Sequence, residues 1–204
     1  MRPEAEGLWR AVAARSDVES RHVLQAWQFL RSIGVEPPAA VAKHVLGAIA
    51  EVTGSGHDVP AVYADGSVRY LNVGGGAVVI DEPIDSVTAP ARDLLGIAQA
   101  LADVLEPWDG DLPELPRDHT RILMLTPSGP HFGQGPDRVL QSDEAAATFL
   151  AAATATLVAV VGLATSPQRP AGHDRTAGRS LKGDSPSEPR PQPPDRQRAR
   201  EHAR

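Results

Sequence analysis

The groups in this chain best suited to chemistry fall in one run, Leu125-Thr126-Pro127-Ser128-Gly129-Pro130-His131-Phe132-Gly133-Gln134-Gly135-Pro136. His131 exchanges protons near neutral pH, so it is the candidate acid/base of an enzyme or ligand site. Ser128 is the candidate nucleophile or polar contact, with Thr126 and Gln134 as further polar contacts. Gly129, Gly133 and Gly135 would let the backbone approach a small ligand closely. The structural alternative is a tight hairpin whose glycines are turn or bulge positions, with His131 on its solvent face. The run matches neither G-x-x-x-x-G-K-[ST] nor G-x-G-x-x-G, so it is not a known phosphate loop.

Other groups are thinner. Asp118-His119-Thr120 could join Ser128 and His131 as orienting acid, base and nucleophile, but no nucleophile-elbow motif supports such a hydrolase. His44 and His57-Asp58 stand apart, without H-x-x-x-H or H-x-E spacing, and there is no cysteine to supply a thiolate. No metal and no cofactor is therefore expected. Gly74-Gly75-Gly76 could cradle an anion with its amides, and reads more simply as a link between two strands.

The elements that would position these groups can be read from periodicity. A short helix over residues 4–14 comes first. Ser16-Asp17-Val18-Glu19 has the form of a capping box ahead of a helix carrying Val23, Leu24, Trp27 and Leu30. After Pro37-Pro38, the stripe Val41, Ala42, Val45, Leu46 and Ile49 reads as another helix, ended by Gly54. This pair could be mistaken for a helix-turn-helix, but its second member offers only Lys43 and His44 to DNA. Two strands then flank Asp65-Gly66, read as a two-residue type I′ turn that sets Tyr63 against Val68. Ala77-Val78-Val79-Ile80 is a third strand. Asp85 to Glu106 is a helix buried through Val87, Ala91, Leu94, Leu95, Ala98, Leu101 and Leu105. A strand at Arg121–Leu125 turns through Thr126-Pro127-Ser128-Gly129 into a return strand at His131-Phe132-Gly133-Gln134. The last helix starts at Ser142 as N-cap and runs to Ala164.

The fold class that follows is α+β, with a largely antiparallel sheet in the order β-β-β-α-β-β-α, N-terminal helices and a disordered C-terminal tail. The divisions are residues 1–56 (helices packing on the core), 57–165 (α+β core domain) and 166–204 (Pro/Arg-rich tail). That element order resembles the profilin-like and roadblock-type regulatory folds, which implies a partner-binding module. It departs from roadblock domains in having three strands, not two, before the central helix. The Thr126-Pro127-Ser128-Gly129 and His131–Pro136 run also resembles uncharacterised small bacterial proteins, which implies no activity.

Composition bounds the function. The 204 residues suffice for one substantial core, built with only 4% aromatic residues. The net charge of −6 divides into about +4 on the tail, residues 165–204, and about −10 on the rest. An acidic domain is repelled by phosphates, so no nucleic-acid partner is expected. Residues 145–164 carry no charge, which raises a membrane tail anchor. Their many alanines and the stripe Phe149, Ala153, Leu157, Val160 and Ala164 suit a core or interface helix better. The N-terminus lacks the apolar run of a signal peptide, and the scarcity of lysine beside much Ala, Gly and Pro fits a GC-rich bacterial source. The expectation is a cytoplasmic, non-enzymatic bacterial protein-interaction or regulatory module that forms a homodimer through the last helix. The competing class is a ligand binder or enzyme using Thr126–Pro136.

Overall fold

A computed structural model describes residues 3–54, 58–72 and 74–165. Its elements are α1 (Pro3–Ala13), α2 (Ser20–Ser32), α3 (Ala39–Ala42), β1 (Gly47–Val52), β2 (Val59–Tyr63), β3 (Val68–Leu71), β4 (Ala77–Ile80), α4 (Asp85–Val104), β5 (His119–Thr126), β6 (Gly129–Pro136), α5 (Asp137–Ser142) and α6 (Glu144–Thr165). The six strands form one fully antiparallel sheet in the order β4-β3-β2-β1-β5-β6. The fold is α+β, as the hairpin-rich sequence requires. The expectations for residues 55–57, 73 and 166–204, which include His57 and the tail, lie outside the described residues.

The principal correction concerns residues 47–52, expected as helix and found as β1, a central strand with neighbours on both sides. Ala48 and Ala50 are buried under the helices, and Ile49 on the other face is half-buried. A strand covered on both faces shows no alternation of apolar and polar residues, so its short apolar run also fits a helix period. Gly47 is required by crowding, since a Cβ there would lie 3.0 Å from the Tyr63 ring and 3.3 Å from Leu125. Pairing of β1 with β2 stops at Ile49↔Ala61, next to Pro60, which has no N–H to continue the ladder.

The β2–β3 register is a second correction. The loop has three residues, with Tyr63 N–H donating to Ser67 O and Gly66 at φ +87°, so Val62 and not Tyr63 faces Val68. Asp65 causes this. One carboxylate oxygen accepts the Ser67 N–H at 2.8 Å, the other accepts the Ser20 N–H at 2.7 Å, and the Ser20 hydroxyl accepts the Asp65 N–H at 3.1 Å. The start of α2 is thus capped from a distant turn. The expected local box does not form, because the helix begins one turn later than Ser16, with Glu19 itself as N-cap and its carboxylate taken by Arg21. α6 is likewise capped by Asp143, whose carboxylate accepts the Ala146 N–H at 2.8 Å, while Ser142 ends the unforeseen α5.

One face of the sheet packs Val62, Val68, Ile80, Ile122 and Met124 against Val87, Ala91, Leu94 and Ala98 of α4 and Phe149, Ala153 and Val160 of α6. A smaller cluster of Val23, Trp27 and Leu30 from α2, with Trp9, Val35 and Leu46, lies at the sheet end where β1 begins.

Candidate functional site

β5 and β6 pair without interruption from His119↔Pro136 to Thr126↔Gly129, leaving Pro127 and Ser128 as the turn. Gly129 has φ +129°, and a Cβ on it would approach the Trp108 carbonyl to 3.3 Å. The turn is fastened on both sides. Arg31 of α2 donates to the Pro127 carbonyl, Ser128 N–H donates to Ala42 O at 2.9 Å, and Trp108 N–H donates to Pro130 O at 2.7 Å.

His131 is fully buried, opposite Met124 on the core face, which corrects the expectation of a solvent-facing ring. Its Nδ1–H donates to Leu105 O at 3.0 Å, just beyond α4. Lys43 Nζ donates to the same carbonyl at 3.0 Å, so imidazole and ammonium together satisfy a helix C-terminus. The other ring nitrogen, Nε2, lies 3.3 Å from Thr126 Oγ1, whose single proton is donated to Gly129 O at 2.8 Å. Burial holds the His131 pKa below its ordinary value, and the charge of Lys43 adds to this.

The remaining candidates are placed as follows. Thr126 is buried, with its hydroxyl 2.9 Å from Ser128 Oγ and 2.8 Å from Gly129 O. Thr126 therefore stands between Ser128 and His131, and no Ser–His contact forms. Asp118 and His119 lie at the opposite end of β5, about 17 Å along the strand from Met124, the partner of His131. The structure does not assemble the expected serine, histidine and aspartate group. A Cβ on Gly133 would meet Ile122 at 3.6 Å and one on Gly135 would meet Leu140 at 3.8 Å, so both glycines lie against neighbouring side chains. Gln134 accepts from Arg121 at 2.9 and 2.7 Å and donates to Glu114 O at 2.9 Å.

Sequence reading missed the row Glu51, Arg121 and Gln134, one residue from each of β1, β5 and β6 in register. The buried Arg121 guanidinium bonds Glu51 at 2.9 Å, Gln134, and the Pro113 carbonyl of the crossing loop. Opposite charges at cross-strand positions were the available signal, but β1 had to be recognised as a strand first. Gly75 and Gly76 N–H both donate to Asn72, to its backbone and side-chain oxygens respectively, so these amides close a turn. Among the described residues, no three of His, Asp and Glu come together in a way that could hold a metal ion.

α6 is the other candidate. It carries no charge beyond Glu144, and its most apolar stretch has a mean hydropathy of 2.0, yet only 28% of that stretch is buried. Thr148, Ala151, Ala155 and Val158 recur every three or four residues on its exposed side. The hydroxyls of Thr148 and Thr154 turn back onto Glu144 O and Leu150 O, which leaves their methyl groups outward. The opposite side is anchored through Phe149, Ala153 and Val160. By length and composition α6 could cross a membrane, but doing so would withdraw these three side chains from the core. Comparison with protein-family models, with curated proteins and with solved structures finds no match to this chain.

Proposed function

We propose that the chain is a small cytosolic interaction module without catalytic activity, which pairs with a second copy through the outer face of α6. The observation that carries this reading is the uncharged, methyl-rich outer face of α6, most of which has no cover among the described residues. Small residues such as Ala151 and Ala155 permit close helix approach, and excluding water from the face supplies the driving force. A helix of 22 residues is about 33 Å long. Two such faces together bury on the order of 1,000 Å², the lower end of the range for specific association, so pairing in the micromolar range is expected.

Its competitor, a ligand or enzyme site in residues 126–136, has less support. The acid/base candidate His131 is inaccessible, and the turn that leads to it is fastened to α2, α3 and the loop carrying Trp108. Sedimentation velocity of the whole chain tests the proposal: a dimer that Ala155→Arg converts to monomer supports it, and a wild-type monomer at 100 μM, an arbitrary concentration well above the expected constant, refutes it.

A further inference from the structure

The two edges of the sheet are finished differently. On β6 the outward-facing residues are Pro130, Phe132, Gln134 and Pro136, by alternation from the Thr126↔Gly129 pair. Two of these lack an N–H, and the Pro130 carbonyl is taken by Trp108. Prolines and a covering loop are ordinary means of blocking an edge. β4, the other edge, has neither. The Asn72 N–H donates to Gly76 O, so the next bonded pairs are Tyr70↔Val78 and Val68↔Ile80. Ala77 and Val79 therefore turn both N–H and C=O away from β3, and no described residue bonds them.

The side chains beside this edge are also uncovered. Val79 is 57% exposed and Leu71, on the same sheet face, 53%. No charge interrupts Ala77-Val78-Val79-Ile80, whereas Asp81, Glu82 and Asp85 follow at once. Arg69, opposite Val79, is committed to Asp81 and to the carbonyls of Val68 and Ile80. Asp81 is thereby neutralised, so Glu82, exposed and without an ion pair among the described residues, is the negative charge that ends this short apolar edge.

We propose that β4 receives an extended segment of another protein as an added antiparallel strand, with alternating apolar side chains and basic residues at its N-terminal end. Antiparallel addition sets that end beside Glu82, where its charge is complemented. The segment exchanges bonds with Ala77 and Val79 and covers the Val79 side chain. The choice of a foreign segment rests on the α6 reading, which assigns the second copy to α6; a β4–β4 contact in addition would build tetramers or open chains rather than the dimer proposed. The tail of this chain lacks the apolar residues such a strand needs.

The test is fluorescence polarisation with a labelled peptide KKVTVTVG and the whole chain at low salt. Saturable binding is expected. Val79→Pro weakens it at least 10-fold while the protein stays folded, since the Val79 N–H is not part of the β3 ladder. Should that variant fail to fold, the peptide provides the test: N-methylation of every second residue abolishes binding in one phase and spares it in the other. EEVTVTVG binds at least 10-fold more weakly. Equal binding to Val79→Pro, indifference to N-methylation in both phases, or no saturation by about 1 mM, a millimolar ceiling, overturns the proposal. The same titration on Ala155→Arg separates the two readings, because peptide binding persists there whether or not α6 pairs. If Val79→Pro rather than Ala155→Arg makes the protein monomeric, a second copy occupies the edge and the proposal is wrong.

Discussion

Replacing His131 tests whether the 126–136 hairpin is a fastening or a ligand loop. In His131→Ala the buried imidazole leaves a cavity, and the Leu105 carbonyl keeps only Lys43. Large-to-small changes of buried rings cost about 3–5 kcal/mol, and an imidazole is at the small end. Losing one hydrogen bond adds about 1 kcal/mol, partly offset because the carbonyl retains a donor. The expected loss is about 3 kcal/mol, or roughly 6–12 °C in Tm for a domain of this size. His131→Asn retains an N–H near Nδ1 and should recover about 1 kcal/mol. Urea unfolding followed by circular dichroism measures both. The pH dependence gives a second readout. Because the folded pKa is depressed, the unfolded chain binds the proton more readily, and stability rises with pH across the interval between the two values. The full contribution is present above the unfolded value of about 6.5, and it is lost as pH falls through the folded one. His131→Ala should flatten that part of the profile. A loss below about 0.5 kcal/mol, the scale of ordinary surface substitutions, with the profile unchanged, would refute the reasoning.

Three further outcomes follow from the same packing. Gly129→Ala forces a side chain into a positive φ and towards the Trp108 carbonyl, and should cost about 2 kcal/mol or more in chemical denaturation. Asp65→Ala removes acceptors for Ser20 and Ser67 and should cost about 2 kcal/mol. Burial alone would raise the Asp65 pKa, but the bonds from Ser67 and Ser20 outweigh it and hold the value low; its stabilisation is therefore complete above about pH 4 and fades on further acidification, a component that titration of the variant should lack. Glu51→Ala leaves the buried Arg121 without its anion and should cost about 2–4 kcal/mol, whereas exchanging Glu51 and Arg121 together for apolar residues should cost less than Glu51→Ala alone, a comparison that urea midpoints decide.

The legible parts of the fold are those where local pattern and tertiary environment agree. The α4 stripe from Val87 to Ala98 faces the core as its period requires, and Pro127 and Gly129 mark the β5–β6 turn correctly. β1 escaped because burial on both faces removes the alternation that identifies a strand. The β2–β3 register moved by one residue because Asp65 serves α2 as well as its own turn, and one residue exchanges the faces of Tyr63 and Val62. In β6, Pro130, Gly133 and Gly135 supply no apolar alternation, so nothing local says whether His131 or Phe132 points inward. Pairing with β5 decides it, setting His131 against Met124 and Phe132 against Leu123, with the Trp108 ring edge-on to Phe132. The residue types in 126–136 were read correctly as unusual, but their roles in the structure are tertiary contacts to residues 31, 42, 105, 108 and 121, which no local pattern encodes.

The most direct test of the interaction-module account is sedimentation velocity of the wild-type chain and Ala155→Arg from about 1 to 100 μM, a range that brackets micromolar pairing. The account predicts a concentration-dependent dimer for the wild type and a folded monomer for Ala155→Arg throughout. A wild-type monomer over the whole range, or a dimer indifferent to Ala155→Arg, would contradict it.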